Sequence, residues 1–348
     1  GLGVDVSLAS RHALAFAAKL QATLLHPLRL EGDAQDAQLG ASVGITLYPQ
    51  SAGDSAHDAL RRAGMALHRA KQAGGGRAAF FEQGMGEAAE QRFRLERELR
   101  HAIGAGELRL HLQSQVNVDG RLTGAEVLVR WQHPRDGLVP PGVFIPIAEE
   151  SDLIVSLGEW VLAHACGLLA QPAFRERRLR LSVNLSARQF RQAGFVPQVR
   201  ALLASTGADP RLLTLEVTEG LVIEDFDDTV AKMRELAQLG VDISLDDFGT
   251  GYSSLAYLKR LPIQEIKIDR SFVHEAPTNA DDGVLVEGIL SVARHFGLRV
   301  VAEGVETQAQ ADFLSQRAPD IVYQGYLFGR PEPDTQWLAR LVPAEALR

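Results

Sequence analysis

A (β/α)8 barrel of the TIM type, preceded by a small α/β piece, is the fold that three observations on this 348-residue chain predict. From Leu108 onward, eight short strand patterns recur, most of them separated by helical segments. Several of those helical segments close on a glycine suited to a left-handed C-cap, as at Gly207, Gly240 and Gly297. The polar residues of the strands fall late in each strand, where a barrel of this kind carries its chemistry.

Taken in chain order, residues 1–81 read as the small α/β piece. "ASRHALAFAAKLQATLL" has helical apolar spacing, and "GASVGITLYPQ" is a strand closed by Tyr48-Pro49. "AHDALRRAGMALHRAKQAGGGR" is a second helix, stopped by Gly74, Gly75 and Gly76, and "AAFF" is a short strand. The triple glycine lacks the Lys-Ser/Thr of a nucleotide loop, so it reads as a helix stop. Residues 82–105 form a charged helical connector with a solvated face. Residues 106–348 supply the barrel strands: "LRLHLQSQV", "LTGAEVLVRW", "LRLSVNLS", "LTLEVTE", "VDISLDDF", "EIKIDRSF", "LRVVAEGV" and "DIVYQGYLF". Only "NVDGR" joins the first two, too short for a parallel crossover, so the first strand is expected to run antiparallel.

Composition narrows the function classes. The chain is 46% hydrophobic and 23% charged, which leaves material for a sizeable core. A net charge of -8 argues against a nucleic-acid polymer or an anionic membrane surface as partner, but not against a small anion held by a metal. The single cysteine, Cys166 in "WVLAHACGLLA", excludes an internal disulfide and reads as a buried packing residue in a reducing compartment. No apolar run reaches membrane-span length, so the chain is expected to be cytoplasmic. It starts at Gly1 rather than methionine, so it is expected to be the cytoplasmic portion of a longer, membrane-attached protein.

Strand parity exposes the candidate site. Successive strand residues point to opposite faces. In "GAEVLVR", Ala125, Val127 and Val129 oppose Glu126, Leu128 and Arg130; in "SVNLS", Val183 and Leu185 oppose Asn184. Leu215 and Val217 oppose Glu216, Ile266 and Ile268 oppose Lys267, and Val300 and Ala302 oppose Val301 and Glu303. With the apolar sets against the helices, the polar sets point into the barrel near its mouth. Taken singly, each is an ordinary strand-end or rim charge. Together Glu126, Asn184, Glu216, Asp246, Asp247, Lys267 and Glu303 bring five carboxylates to one cavity, which requires cations. Carboxylate and amide oxygens suit Mg²⁺ or Mn²⁺, and no His/Cys grouping suggests zinc. His133 in "RWQHPRDG" reads as structural. Two ions about 4 Å apart suit phosphoester hydrolysis, with Asp246 as the bridge and Asp247 reaching one ion. Lys267 would orient or help deprotonate a water, or balance charge, and Arg130 would clamp phosphate.

These motifs also carry a family likeness. From about residue 92 to 341 the chain resembles the EAL-domain cyclic-di-GMP phosphodiesterases, through "AEVLVRW", "FIPIAEESDLI", "VNLSARQF", "LEVTEG", "DDFGTGYSSLAYLKRLPIQEIKIDRSFV", "VVAEGVET" and "QGYLFGRP". The resemblance implies hydrolysis of cyclic-di-GMP to linear pGpG with two Mg²⁺ or Mn²⁺ ions. It makes Glu126, Asn184, Glu216 and Asp246 ligands of one ion, and it assigns Asp246, Asp247 and Glu303 to the other or its water. Lys267 matches the catalytic lysine, and Glu219 the glutamate that anchors the loop after Asp247. Gln113, Arg130 and Gln324 match substrate- or water-contacting positions. The likeness further implies homodimers through the barrel.

Two departures stand out. The signature tripeptide is Glu126-Val127-Leu128 rather than Glu-Ala-Leu, with Val127 facing away from the cavity. The first strand has Gln113-Ser114-Gln115 where the family commonly has Gln-Pro-Ile, a change expected to alter affinity. Neither change removes a metal ligand. The alternative function is a catalytically silent cyclic-di-GMP receptor; an unrelated barrel phosphoesterase is discouraged by the full motif set. Residues 1–81 resemble the C-terminal half of a GGDEF domain through "SVGITLYP" and "LRRAGMALHRAKQAGGGR". Ala63-Gly64 replaces the usual Ala-Asp and no GGDEF signature precedes it, so the piece reads as degenerate or partial, without cyclase activity.

Overall fold

The computed structural model describes residues 6–24, 40–49, 53–81, 85–249 and 258–341. The chain divides into two compact units, Gly1–Arg97 and Glu98–Arg348. In the first, helix Val6–Leu24 precedes strands β1 (Val43–Ile45) and β2 (Ala78–Phe80), which pair in parallel with helix Ala56–Gln72 as their crossover. That helix starts on a capping box, in which Ser55 and Asp58 satisfy each other's backbone N–H. It ends before Gly74, Gly75 and Gly76, all at positive φ. The helix lies directly on β1: a Cβ added to Gly44 would stand 2.1 Å from the Ala63 carbonyl oxygen. The glycine of "SVGI" is therefore a packing requirement. Arg62 forks onto the Asp54 carboxylate at 2.9 and 2.5 Å, so a buried charge here serves the fold.

Among the described residues, ten strands run through the second unit. They are β3 (Leu108–Asn117), β4 (Leu122–His133), β5 (Gly137–Val139), β6 (Arg180–Asn184), β7 (Leu213–Thr218), β8 (Asp242–Phe248), β9 (Glu265–Ile268), β10 (Arg299–Ala302), β11 (Val322–Gln324) and β12 (Glu332–Pro333). Eight of them close a barrel in the order β3-β11-β10-β9-β8-β7-β6-β4, returning to β3, while β5 and β12 extend β4 and β3. The expected antiparallel first strand is present: β3 is antiparallel to both β4 and β11, and the other barrel pairs are parallel. The turn behind it is held by Asn117, whose Oδ1 accepts from the backbone N–H of Asp119 and Arg121 at 3.1 and 2.9 Å.

The outward strand faces and the helices around them form the core. Val183, Leu215, Ile243 and Ile266 are buried in one cluster with Leu162, Val199, Met233 and Leu290 from helices Leu153–Leu169, Phe195–Thr206, Phe226–Leu239 and Ala280–Phe296. Three of these helices end on the expected left-handed glycines, Gly207, Gly240 and Gly297. Cys166 is buried among these apolar side chains, and burial pushes its thiol up to about 11, so it is an inert packing residue. His133 is likewise structural: its Nδ1 accepts from the Asp136 N–H at 2.9 Å, and Nε2 faces Glu98 at 3.2 Å.

Strands β5 and β12 and short helices such as Pro141–Glu150 go beyond the sequence reading, because two- and three-residue pairings carry no periodicity. Residues 250–257, read as the loop after Asp247, lie outside the described residues. Among the described residues, no helix is long and apolar enough to cross a membrane.

Candidate active site at the barrel mouth

Lys267 organises the mouth. It stands in the middle of β9, its side chain only 1% exposed, and its Nζ lies 2.5 Å from Glu303, 3.0 Å from Glu216, 3.4 Å from Asp246 and 3.8 Å from Glu126. Four carboxylates from four different strands or strand ends thus share one ammonium, as parity requires. Burial pulls the Lys267 amine down, but the four carboxylates outweigh it and hold the group well above the ordinary lysine range. The carboxylates move the other way. Burial pushes Glu216 well above its ordinary value, with Lys267 opposing and Glu126, Asp246 and Glu303 adding. Burial likewise raises Glu303 to about 7, against the pull of Lys267.

The adjacent aspartates come together beside Glu303 through a break in strand regularity, although of the two only Asp246 lines the cavity. An unbroken strand would send Asp246 and Asp247 to opposite faces. Here β8 slips its register against β9 between Leu245 and Phe248, and Asp247 takes a left-handed backbone with φ of 54°. Such a bulge re-aims a side chain. Its N–H donates to Asp246 Oδ1 at 2.9 Å, and Asp246, Asp247 and Glu303 each place an oxygen within 4.8 Å of the others. Partial burial and the neighbouring Asp246 raise the Asp247 carboxyl. Just past the bulge, Gly249 N–H donates to Glu219 Oε1 at 2.9 Å, so Glu219 holds the point where the chain leaves the strand.

Glu126 is gripped from two sides. Asn184 Nδ2 donates to its Oε1 at 2.5 Å, and Gln324 Nε2 donates to its Oε2. Gln324 Nε2 also lies 3.3 Å from Gln113 Oε1, and Gln113 donates to the Gly329 carbonyl at 3.2 Å. Gln113, Glu126, Asp246, Lys267, Glu303 and Gln324 line a cavity of about 300 Å³. Arg130 is not among its lining residues. It points the same way as Glu126 and Leu128 but lies farther out, and its Nη1 donates to the Val129 carbonyl at 2.9 Å. Burial lowers the Arg130 guanidinium, with Glu126 opposing.

Leu128, Arg270, Glu306 and Tyr326 also line the cavity, and the sequence reading did not single them out. Arg270 opens the helix Arg270–Glu275 directly after β9. It packs against Gly304, where an added Cβ would meet Arg270 Cβ at 2.4 Å and where φ is +64°. The available signal was its place in "IKIDRSF", two residues past the strand that carries Lys267.

Whether this mouth suits a divalent cation can be judged from its oxygens. Both carboxylate oxygens of Glu216 are buried, and neither accepts a hydrogen bond from a described residue, although Oε2 lies 3.0 Å from Lys267 Nζ. Leaving Oε1 without a donor and Oε2 with Lys267 alone is costly in a fold built from apolar strands. The donors are all hard oxygens, the set that Mg²⁺ and Mn²⁺ prefer. The residues fit.

A closed (β/α)8 barrel with one antiparallel strand and an acid-lined mouth around a buried lysine defines the class. The EAL domain profile matches residues 96–331, and the chain belongs to the EAL domain family. Among curated proteins it is 41% identical over 337 residues to the bifunctional diguanylate cyclase/cyclic di-GMP phosphodiesterase MucR of Pseudomonas aeruginosa, covering 94% of this chain and 47% of that protein. It is also 41% identical over 317 residues to the cyclic di-GMP phosphodiesterase NbdA of the same organism, covering 90% of this chain and 40% of that protein. The chain thus spans less than half the length of these relatives. A solved structure titled as the PaMucR phosphodiesterase in a c-di-GMP complex superposes with a TM-score of 0.67 at 45% identity, covering 70% of this chain and 99% of that one.

Proposed function

We propose that the barrel hydrolyses one phosphodiester bond of cyclic-di-GMP to give linear pGpG, and that it uses two Mg²⁺ or Mn²⁺ ions. The observation that carries this reading is the buried Lys267 ammonium surrounded by more carboxylate than it can neutralise, in an EAL-family barrel. The phosphodiesterase and c-di-GMP named for the superposed relative support the same substrate.

Glu126, Asn184, Glu216 and Asp246 would hold one ion; Asp246, Asp247 and Glu303 would hold the other or its water. Bound there, divalent cations supply positive charge to the phosphoester and acidity to a water molecule. The chain's own residues do the rest. Lys267 keeps its proton and orients a water or phosphate oxygen beside Glu303, 2.5 Å from its Nζ. Gln113 and Gln324 present amide groups to the cavity, and Arg130 on the outer rim receives a phosphate. Glu219 fixes Gly249 and with it the approach of Asp247. Dimerisation through the barrel and a degenerate or partial GGDEF-like piece at 1–81, joined by residues 82–105 to the barrel at 106–348, complete the reading. Both rest on the family resemblance.

The test is incubation with cyclic-di-GMP and Mg²⁺ or Mn²⁺, with EDTA as control and Glu126→Ala alongside. Metal-dependent release of pGpG that Glu126→Ala abolishes is the expected result. Tight binding without turnover would replace the enzyme with a receptor.

A further inference from the structure

The first barrel strand departs from the family's common Gln-Pro-Ile at Ser114 and Gln115, and both side chains have partners. Ser114 faces outward, where its Oγ accepts from Trp337 Nε1 at 2.9 Å. Gln115 faces inward on the same side as Gln113, one step deeper in the barrel, opposite Gly124 where Gln113 is opposite Glu126. It is 5% exposed, and its Nε2 donates to Gln324 Oε1 at 2.9 Å.

We propose that Gln115 is a positioning residue, which sets the orientation of the Gln324 amide and through it the plane of the Glu126 carboxylate. A carboxylate only accepts, so Gln324 must turn its NH₂ toward Glu126. That places Gln324 Oε1 against β3, where it needs a donor, and Gln115 supplies one. An isoleucine at 115 offers none. In this chain the Glu126 carboxylate is therefore clamped by Asn184 on one oxygen and by a Gln115-backed Gln324 on the other. The remaining lone pairs of Glu126 are held toward the cavity that Lys267 and Asp246 share. Outer partners of this kind tune how well a carboxylate serves a cation. The inference rests on the metal reading above.

Two substitutions at 115 separate positioning from packing. Gln115→Glu has the same shape but accepts instead of donating, so it favours the flipped Gln324 amide and turns Gln324 Oε1 onto Glu126. Gln115→Leu removes the donor without reversing it. Mn²⁺ affinity, measured by the electron paramagnetic signal of the free ion, is the readout, with thermal unfolding as a check on folding. Gln115→Glu is expected to weaken Mn²⁺ binding about tenfold and Gln115→Leu about threefold. Both effects are expected to vanish in a Gln324→Met background, because the coupling passes through that amide. Should Gln115→Glu fail to fold, Gln115→Leu with and without Gln324→Met decides the matter. Wild-type affinity in the 115 variants, or an equal loss that persists with Met at 324, would overturn the proposal. If wild type itself binds no Mn²⁺, it is the metal reading that fails, and the role of Gln115 toward a metal ligand falls with it.

Discussion

The two ends of the barrel both carry buried or half-buried charge, and they solve it differently. At the floor, where the parallel strands begin, Arg299 bonds to Asp242 at 2.7 Å and to Glu265 at 3.2 Å, and Arg180 stands 3.9 Å from Asp242. Two guanidiniums meet two carboxylates, and the cluster is balanced. At the mouth, Glu126, Glu216, Asp246 and Glu303 share the single Lys267 ammonium, with Asp247 beside them. Among the described residues, the mouth is where three carboxylates converge closely enough to hold an ion. The difference teaches that buried charge in a barrel is not itself a mark of function. A balanced set at the strand starts stabilises, and an unbalanced set at the strand ends marks the candidate site.

Substitution at each end should separate the two roles. Lys267→Met is expected to cut turnover of cyclic-di-GMP by at least about 10²-fold, while the chain still binds the nucleotide; steady-state and binding assays would check it. Arg299→Leu is expected to leave kcat within about twofold of wild type. It should lower unfolding stability in urea by about 2 kcal/mol. That is less than the full cost of stranding a buried pair, because the Arg299 side chain is 31% exposed. A floor variant that lost activity without losing stability would break the contrast.

A smaller effect follows from pH. Burial lifts Glu303 from an ordinary 4.5 to about 7, so between those values the folded chain holds a proton that the unfolded chain releases. The stability that this proton contributes is complete below about pH 4.5 and is lost as pH rises toward 7. In EDTA, stability is expected to fall across that window, and Glu303→Gln is expected to flatten the fall. A profile for Glu303→Gln identical to wild type would place the titration elsewhere.

Much of this contrast was legible in the sequence, and the reasons for the exceptions are physical. Alternation along "LTLEV" and "EIKID" sufficed to turn Glu216 and Lys267 inward, because an eight-stranded barrel leaves two faces and one is apolar. The same rule turns Arg180, Asp242, Glu265 and Arg299 inward, yet parity says nothing about depth or pairing. That requires the register, in which Glu265 stands opposite Arg299 and Glu216 opposite Ser244. The left-handed backbone at Asp247 also escaped the sequence, since a non-glycine residue at positive φ has no compositional sign. Gln115 stood out as a departure, but its bond to Gln324 escaped, because the two lie 209 residues apart along the chain. Parity expects Arg130 on the cavity face, yet it is not among the residues that line the cavity, because parity carries no distance along the strand.

The central claim is that the mouth's surplus negative charge is matched by divalent cations. Direct titration of Mn²⁺ into the metal-free chain tests it, with Glu216→Gln and Arg299→Leu in parallel. Two saturable sites in wild type and in Arg299→Leu, weakened about tenfold or more in Glu216→Gln, are the predicted result. No saturable binding, or an affinity that Glu216→Gln leaves unchanged, would contradict it.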